Sequence, residues 1–197
     1  MKMKSSTRYL TLLSMFTAVM IVLYFTPLAF LPVGSITLTL LQVPVAVGAI
    51  LLGPGAGAFL GGVFGLLSLL SCFGKDPTGV VLMGISPLRT ILLCLLPRIL
   101  MGLLVGLIFR AMQKRDKTRP LSYPVASVSG ALLNTLLFLP TMILLFYNTD
   151  FVQSMGKTGF FAVLGVVFMS VLLQFVVETL VCLFLGTALA KALSKLI

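Results

Sequence analysis

The chain has 197 residues, of which 59% are hydrophobic and only 9% charged, with a formal net charge of +10. Soluble domains carry about 25% charged residues. This composition therefore indicates an integral membrane protein and excludes a soluble enzyme, a nucleic-acid-binding module and a disordered tail. Histidine is absent, which removes the commonest general base and metal ligand. We expect no catalytic residues, no metal site, no cofactor and no nucleic-acid partner.

Six apolar runs, separated by proline, glycine or charge, predict six transmembrane helices in a single all-α membrane domain covering residues 1–197. The predicted spans are 9–30, 36–52, 55–73, 88–112, 123–147 and 159–190. With a cytoplasmic N-terminus, most lysines and arginines fall inside, and only Lys75, Lys157 and Arg89 fall outside. The positive-inside rule then places both termini in the cytoplasm. A cleaved signal peptide is the alternative for the first run, but no A-x-A-like site follows it.

Two predicted outer connections have unusual compositions. Residues 26–34 are short, apolar and bounded by prolines, which favours a segment folded over a pocket rather than one left in water. Residues 73–87 contain three glycines and two prolines. We expect this longer connection to be either a lid or a plain surface connector.

Two charged residues lie deep within predicted helices. Arg98 is twelve residues from Arg110, and Glu178 is thirteen from Lys191, so both are ~18–20 Å from a helix end. A charge at the bilayer centre costs about 2.5–3.5 kcal/mol even on lenient scales. Arg98 and Glu178 are therefore candidates for a functional site.

Three amide side chains lie in the predicted helices as well. Gln42 is in the second, Asn134 is at similar depth in the fifth, and Gln174 lies one turn before Glu178 in the sixth. We predict a central substrate-binding cavity lined by Gln42, Arg98, Asn134, Gln174 and Glu178. The alternative is a buried ion pair between Arg98 and Glu178, with the amides serving as contacts between helices. A deep arginine favours an anionic substrate.

Small residues at intervals of four predict close helix contacts. The third span contains Gly57, Gly61 and Gly65, and the first span has a weaker version at Ser14 and Ala18. The pattern does not distinguish a partner helix in this chain from one in another protein. We therefore treat Ser14, Ala18, Gly57 and Gly61 as candidate partner-binding residues.

The remaining motifs argue against redox, metal or ATP chemistry. Cys72, Cys94 and Cys182 occur singly in apolar surroundings, so we interpret them as small buried hydrophobic residues. Residues 155–158, Met-Gly-Lys-Thr, resemble the end of a P-loop, but Phe151 occupies the position of its first glycine. The chain is thus predicted to have no ATP site of its own.

Several segments resemble the substrate-binding S components of energy-coupling factor (ECF) vitamin transporters. They are Ile-Thr-Leu-Thr at 36–39, the run 43–58 with its Gly-Pro turn, Pro-Arg-Ile-Leu-Met-Gly at 97–102, Asn-Thr at 134–135 and Glu-Thr at 178–179. The last three are most similar to the pantothenate-type branch. The sequence departs from that pattern at Gln174, where asparagine is expected, and at Ser14, where alanine is usual.

The resemblance implies a non-enzymatic subunit of an importer in the cell membrane. Such a six-helix bundle captures a vitamin, here pantothenate, from outside and docks onto a membrane coupling subunit that carries two cytoplasmic ATPases. An S component for riboflavin, folate or a pyridoxine-like compound is the first alternative, although the absence of tryptophan argues against a flat aromatic ligand. A small membrane channel or enzyme is the second, but no helix carries the repeated polar rings of a channel.

Overall fold

The computed structural model describes residues 6–26, 30–33, 36–115, 122–147, 149, 172 and 175–194. Seven helices and one hairpin cover most of them. They are α1 (Ser6–Phe25), β1 (Phe30–Val33), β2 (Ile36–Thr39), α2 (Gln42–Leu52), α3 (Pro54–Ser71), α4 (Pro77–Ile85), α5 (Pro87–Arg115), α6 (Ser122–Phe146) and α7 (Phe175–Leu193), which includes a π-helical segment at Cys182–Gly186. In the described part of the chain, α1, α3, α5, α6 and α7 are long and apolar enough to cross a membrane.

The hairpin corrects the prediction for residues 26–41. The first helix ends at Phe25 instead of Phe30, and the second begins at Gln42 instead of Ile36. Between them β1 and β2 pair antiparallel, with Val33 opposite Ile36. The physical reason is local, because prolines interrupt the helix and residues 36–39 alternate between apolar and polar side chains, the period of a strand.

The predicted outer connection 73–87 contains a helix of its own. Asp76 caps the N-terminus of α4, since its side-chain oxygen accepts a hydrogen bond from the backbone N–H of Thr78 at 3.2 Å. Lys75, just before this cap, donates to the carbonyl oxygen of Tyr24 at 3.0 Å. The connection is therefore attached to the last turn of α1.

Residues 159–171 of the predicted sixth span lie outside the described residues.

The short helix α2 lies at the centre of the molecule. All its residues from Gln42 to Ile50 are buried, and it contacts α1, α3, α5, α6 and α7. Eleven residues extend only ~16 Å, about half the thickness of the hydrocarbon core. Gly53 then reverses the chain into α3 with φ of 97°, a backbone conformation that favours glycine.

Helices α3 and α5 pack backbone to backbone. A β-carbon on Gly57 would meet the carbonyl oxygen of Gly102, and one on Gly61 would meet that of Arg98. These glycine faces are thus occupied by a helix of the same chain. Of the four candidate partner-binding residues, only Ser14 and Ala18 therefore stay candidates for contact with another protein. The close α3–α5 contact also holds Arg98 beside α3.

Helix α1 presents two different faces. Phe16, Met20 and Tyr24 are buried against the rest of the protein, whereas Ser14 and Ala18 are exposed. Two residues correspond to roughly 200° around a helix, so the small residues lie nearly opposite the packed stripe. This face is available to lipid or to another membrane protein.

Candidate substrate-binding site

A proline determines the direction of the Arg98 side chain. Pro97 lies inside α5, and since proline has no N–H, it leaves the carbonyl oxygen of Leu93 without its helical donor. The Nη1 atom of Arg98 donates to this oxygen at 3.0 Å. The guanidinium therefore points along α5 toward the N-terminus of the helix. It is held there by the Leu93 carbonyl oxygen, which is free to accept because residue 97 is a proline.

Two phenylalanine rings enclose the guanidinium. The Cζ atom of Arg98 lies 4.4 Å from the ring centroid of Phe138 on α6 and 5.5 Å from that of Phe64 on α3. Both distances permit cation–π attraction, which increases when the cation is desolvated. Arg98 is only 8% exposed, so the site holds a positive charge in largely apolar surroundings.

Glu178 accepts hydrogen bonds from the hairpin and from α2. Its Oε1 accepts a hydrogen bond from the backbone N–H of Thr39 at 3.0 Å, and its Oε2 accepts one from Nε2 of Gln42 at 3.3 Å. Glu178 and Gln42 are 4% and 1% exposed. The carboxylate thus connects the end of the β1–β2 hairpin and the start of α2 to α7.

The two deep charges have separate partners among the described residues. Arg98 donates to Leu93 and contacts aromatic rings, whereas Glu178 accepts from Thr39 and Gln42. A direct ion pair, the alternative left open by the sequence, does not describe this arrangement.

Three of the predicted site residues carry buried polar atoms that have no hydrogen-bond partner within the part of the chain that the structure describes: Gln42 Oε1, Asn134 Oδ1 and Arg98 Nε. For Gln42 the orientation follows from chemistry, because a carboxylate only accepts, so the amide nitrogen faces Glu178 and the oxygen points elsewhere. A buried polar atom left unpaired costs about 1–3 kcal/mol. The guanidinium Nε and the two amide oxygens therefore have hydrogen-bonding capacity that the described residues leave unused.

The structure places four of the five predicted site residues. Gln42 contacts Glu178. Asn134 shares a face of α6 with Phe138, one turn away, and Phe138 lies against Arg98. Gln174 lies outside the described residues.

Sequence reasoning missed the Thr39 amide, the two phenylalanine rings and the effect of Pro97. The sequence held a signal for only two of these features, Phe138 and Pro97. Phe138 follows Asn134 by four residues, so the two share a helix face, and a proline at position 97 of a helix leaves the carbonyl oxygen of residue 93 without its N–H donor.

Comparison with known proteins gives consistent matches. The family model described as "ECF transporter, substrate-specific component" matches residues 8–186. A "Pantothenate transporter PanT" of Leuconostoc mesenteroides subsp. mesenteroides is 34% identical over 110 residues, which cover 53% of this chain and 52%, about half, of that relative. A "Pantothenic acid transporter PanT" of Lactococcus lactis subsp. cremoris is 29% identical over 203 residues, covering 98% of this chain and 96% of that protein.

Proposed function

Because the chain belongs to the substrate-specific components of ECF transporters, we propose that it is the pantothenate-binding subunit of an ECF importer. As a member of this family with several apolar helices, it is a multi-pass protein of the cell membrane. The observation that carries the substrate proposal is that, among the described residues, the Nε of the buried Arg98 guanidinium and two amide oxygens have no hydrogen-bond partner. The names of the two relatives support the same substrate.

Pantothenate matches these atoms by chemical type. Its carboxylate accepts from the free side of the Arg98 guanidinium, which suits planar bidentate binding. Its hydroxyl groups are donors for the oxygens of Gln42 and Asn134. Glu178 positions the Gln42 amide by accepting its N–H. The proposed set also includes Gln174, which lies one turn before Glu178 in the predicted sixth helix.

The proposed topology has six crossings in one domain. The second crossing combines α2 with the β1–β2 hairpin, because α2 alone is too short to span the membrane. Both termini lie in the cytoplasm, consistent with the Lys and Arg residues near both ends and in the segment 110–119. In this orientation the hairpin and α4 cover the outer side, from which substrate enters.

Transport is proposed to depend on a partner, because the sequence provides no ATP-binding motif. The partner is a membrane coupling subunit with two cytoplasmic ATPases. The exposed face of α1 that contains Ser14 and Ala18 is the proposed contact, since small residues allow close helix approach in a bilayer.

The assignment of Arg98 is tested with pantothenate and pantothenol, in which an alcohol replaces the carboxylate. Losing one partner of a buried charged contact costs about 2–5 kcal/mol, or roughly 30-fold to several-thousand-fold in affinity. Calorimetry should show that the wild-type protein binds pantothenate at least about 30-fold more tightly than pantothenol. Arg98→Gln should remove most of that preference, and Arg98→Lys should retain part of it, because lysine keeps the charge without the planar fork.

A matched control comes from the same helix. Arg89 is exposed, and its Nη1 also donates to a main-chain carbonyl, that of Leu145, at 3.2 Å. Arg89→Gln therefore removes a guanidinium and its hydrogen bond to a main-chain carbonyl, as Arg98→Gln does. It should leave the preference for pantothenate over pantothenol unchanged. Monodisperse elution of each variant confirms folding. Equal binding of both ligands by the wild type, or a preference that survives Arg98→Gln, contradicts the assignment.

A further inference from the structure

Two cysteines that are far apart in sequence lie next to each other. The Sγ atoms of Cys72 and Cys94 are 3.8 Å apart, and the residues are only 4% and 3% exposed. A disulfide bond is about 2.05 Å long. A movement of less than about 2 Å would therefore bring the two sulfur atoms to bonding distance.

The pairing follows from the packing of α3 on α5. A β-carbon on Gly65 would lie 2.8 Å from the carbonyl oxygen of Cys94, so the two backbones touch near the end of α3. Cys72 follows that end directly, and its thiol lies 3.3 Å from the carbonyl oxygen of Ser68. This contact holds the thiol against α3, and the 3.8 Å distance to the Cys94 sulfur places it next to α5.

Helix α4 covers this pair. A β-carbon on Gly79 would lie 2.6 Å from Sγ of Cys72, so α4 crosses the thiol at a residue without a side chain. Leu82 of α4 belongs to an apolar cluster with Leu93 of α5 and residues of α6, against which Phe138 packs. Helix α4 therefore lies against the Cys72 thiol and also packs in the apolar cluster that Phe138 contacts.

We propose that Cys72 and Cys94 form a reversible disulfide site that joins α3 to α5 beneath α4. The oxidant is a small-molecule disulfide on the outer side of the membrane, the side to which the proposed topology assigns α4. One cysteine thiolate attacks a sulfur of the reagent, forms a mixed disulfide and releases one reagent thiol. The second cysteine thiolate attacks the protein sulfur of that mixed disulfide and releases the other reagent thiol, so the protein loses two hydrogens and the reagent gains them.

The bond encloses the chain from Cys72 to Cys94, which contains the whole of α4. A cross-link of this kind restricts the unfolded chain and so raises stability. It also limits how far α4 can move from α3 and α5. The proposed disulfide therefore keeps α4 close to α3 and α5. It does not depend on which vitamin the protein binds.

Oxidation of the purified full-length protein with 4,4′-dithiodipyridine tests the site. The mixed disulfide releases one thiopyridone, and closure releases a second and lowers the protein mass by about 2 Da. Peptide mapping without reductant should recover the segments containing Cys72 and Cys94 as one cross-linked species. The oxidised protein should melt at a higher temperature than the reduced protein, and dithiothreitol should reverse both changes.

Cysteine variants supply the controls. Cys182→Ala removes the remaining cysteine, which lies on α7, and should leave the cross-link intact, whereas Cys72→Ser and Cys94→Ser should abolish it. Wild-type protein that carries only pyridyl adducts, or stays fully reduced in the oxidant, overturns the proposal even if a variant fails to fold. A cross-link that persists in Cys72→Ser overturns it as well. Neither result bears on pantothenate binding, which the calorimetry tests separately.

The cover itself can be tested on α4. Gly79→Ala places a methyl group against the Cys72 thiol and should increase the rate at which Cys72 is alkylated. Gly84→Ala on the same helix is the matched control, because nothing lies within 4 Å of a β-carbon there. Equal alkylation rates in the two variants would contradict the position assigned to α4.

Discussion

Replacing Pro97 with alanine separates ligand binding from stability. Alanine restores a backbone N–H at position 97, which donates to the Leu93 carbonyl oxygen in the normal helical pattern. The Nη1 atom of Arg98 then competes for the acceptor that it now holds at 3.0 Å. The guanidinium loses the contact that fixes its direction, although Arg98 itself is unchanged.

The two effects of this substitution have opposite signs. A hydrogen bond to a charged group contributes about 1.5–3 kcal/mol, so complete loss of this contact lowers the affinity for pantothenate by about ten- to hundredfold. In a helix interior, proline is about 3 kcal/mol less favourable than alanine. The melting temperature of Pro97→Ala should therefore equal or exceed that of the wild type while its ligand affinity falls.

Calorimetry with pantothenate and pantothenol, together with thermal unfolding, measures both quantities. Pro140→Ala is the matched control, since Pro140 also lies inside a long helix, α6, but is not followed by arginine. It should leave the ratio of the two affinities unchanged. If Pro97→Ala binds pantothenate as tightly as the wild type, the freed carbonyl does not position Arg98. If affinity and melting temperature fall together, proline serves only the packing of α5.

Further predictions concern the helix faces and the dependence on a partner. In liposomes, the chain alone should bind pantothenate without accumulating it, and uptake against a gradient without ATP or an ion gradient would refute the proposed dependence on ATPases. With a coupling module and ATP present, Ala18→Leu should reduce accumulation while calorimetric binding survives, and equal loss of both would assign this face to folding. Gly57→Leu should fail to give monodisperse protein, because its side chain would meet the Gly102 carbonyl, and normal elution would contradict the α3–α5 packing.

Long apolar runs with sharp ends made most of the helices predictable. The predicted spans 55–73, 88–112 and 123–147 agree to within a few residues with α3, α5 and α6, because proline and charge bound each run. The hairpin was not predicted, since hydropathy does not distinguish an apolar strand from the start of a helix. Only the alternation of residues 36–39 carried that information.

The sequence showed that Arg98 and Glu178 lie far from the ends of their helices, but it did not show their partners. Both side chains are buried within the protein, whereas their depth in the membrane stays a prediction. Contacts such as Gln42 with Glu178, 136 residues apart, depend on how helices pack and leave no local pattern. The same holds for Cys72 and Cys94, whose proximity has no spacing motif to reveal it.

The proposed role of Arg98 is consistent with the separate partners of the two buried charges. If Arg98 were paired with Glu178, an anionic substrate would have to displace the carboxylate, and breaking a buried pair costs about 3–5 kcal/mol. Instead, a backbone amide and Gln42 bind the carboxylate, and a freed carbonyl and aromatic rings hold the guanidinium. In the proposed binding mode, an incoming carboxylate meets a guanidinium that is already oriented by the Leu93 carbonyl oxygen. Pantothenate would then add a contact to Arg98 without removing one from Glu178, which favours high affinity.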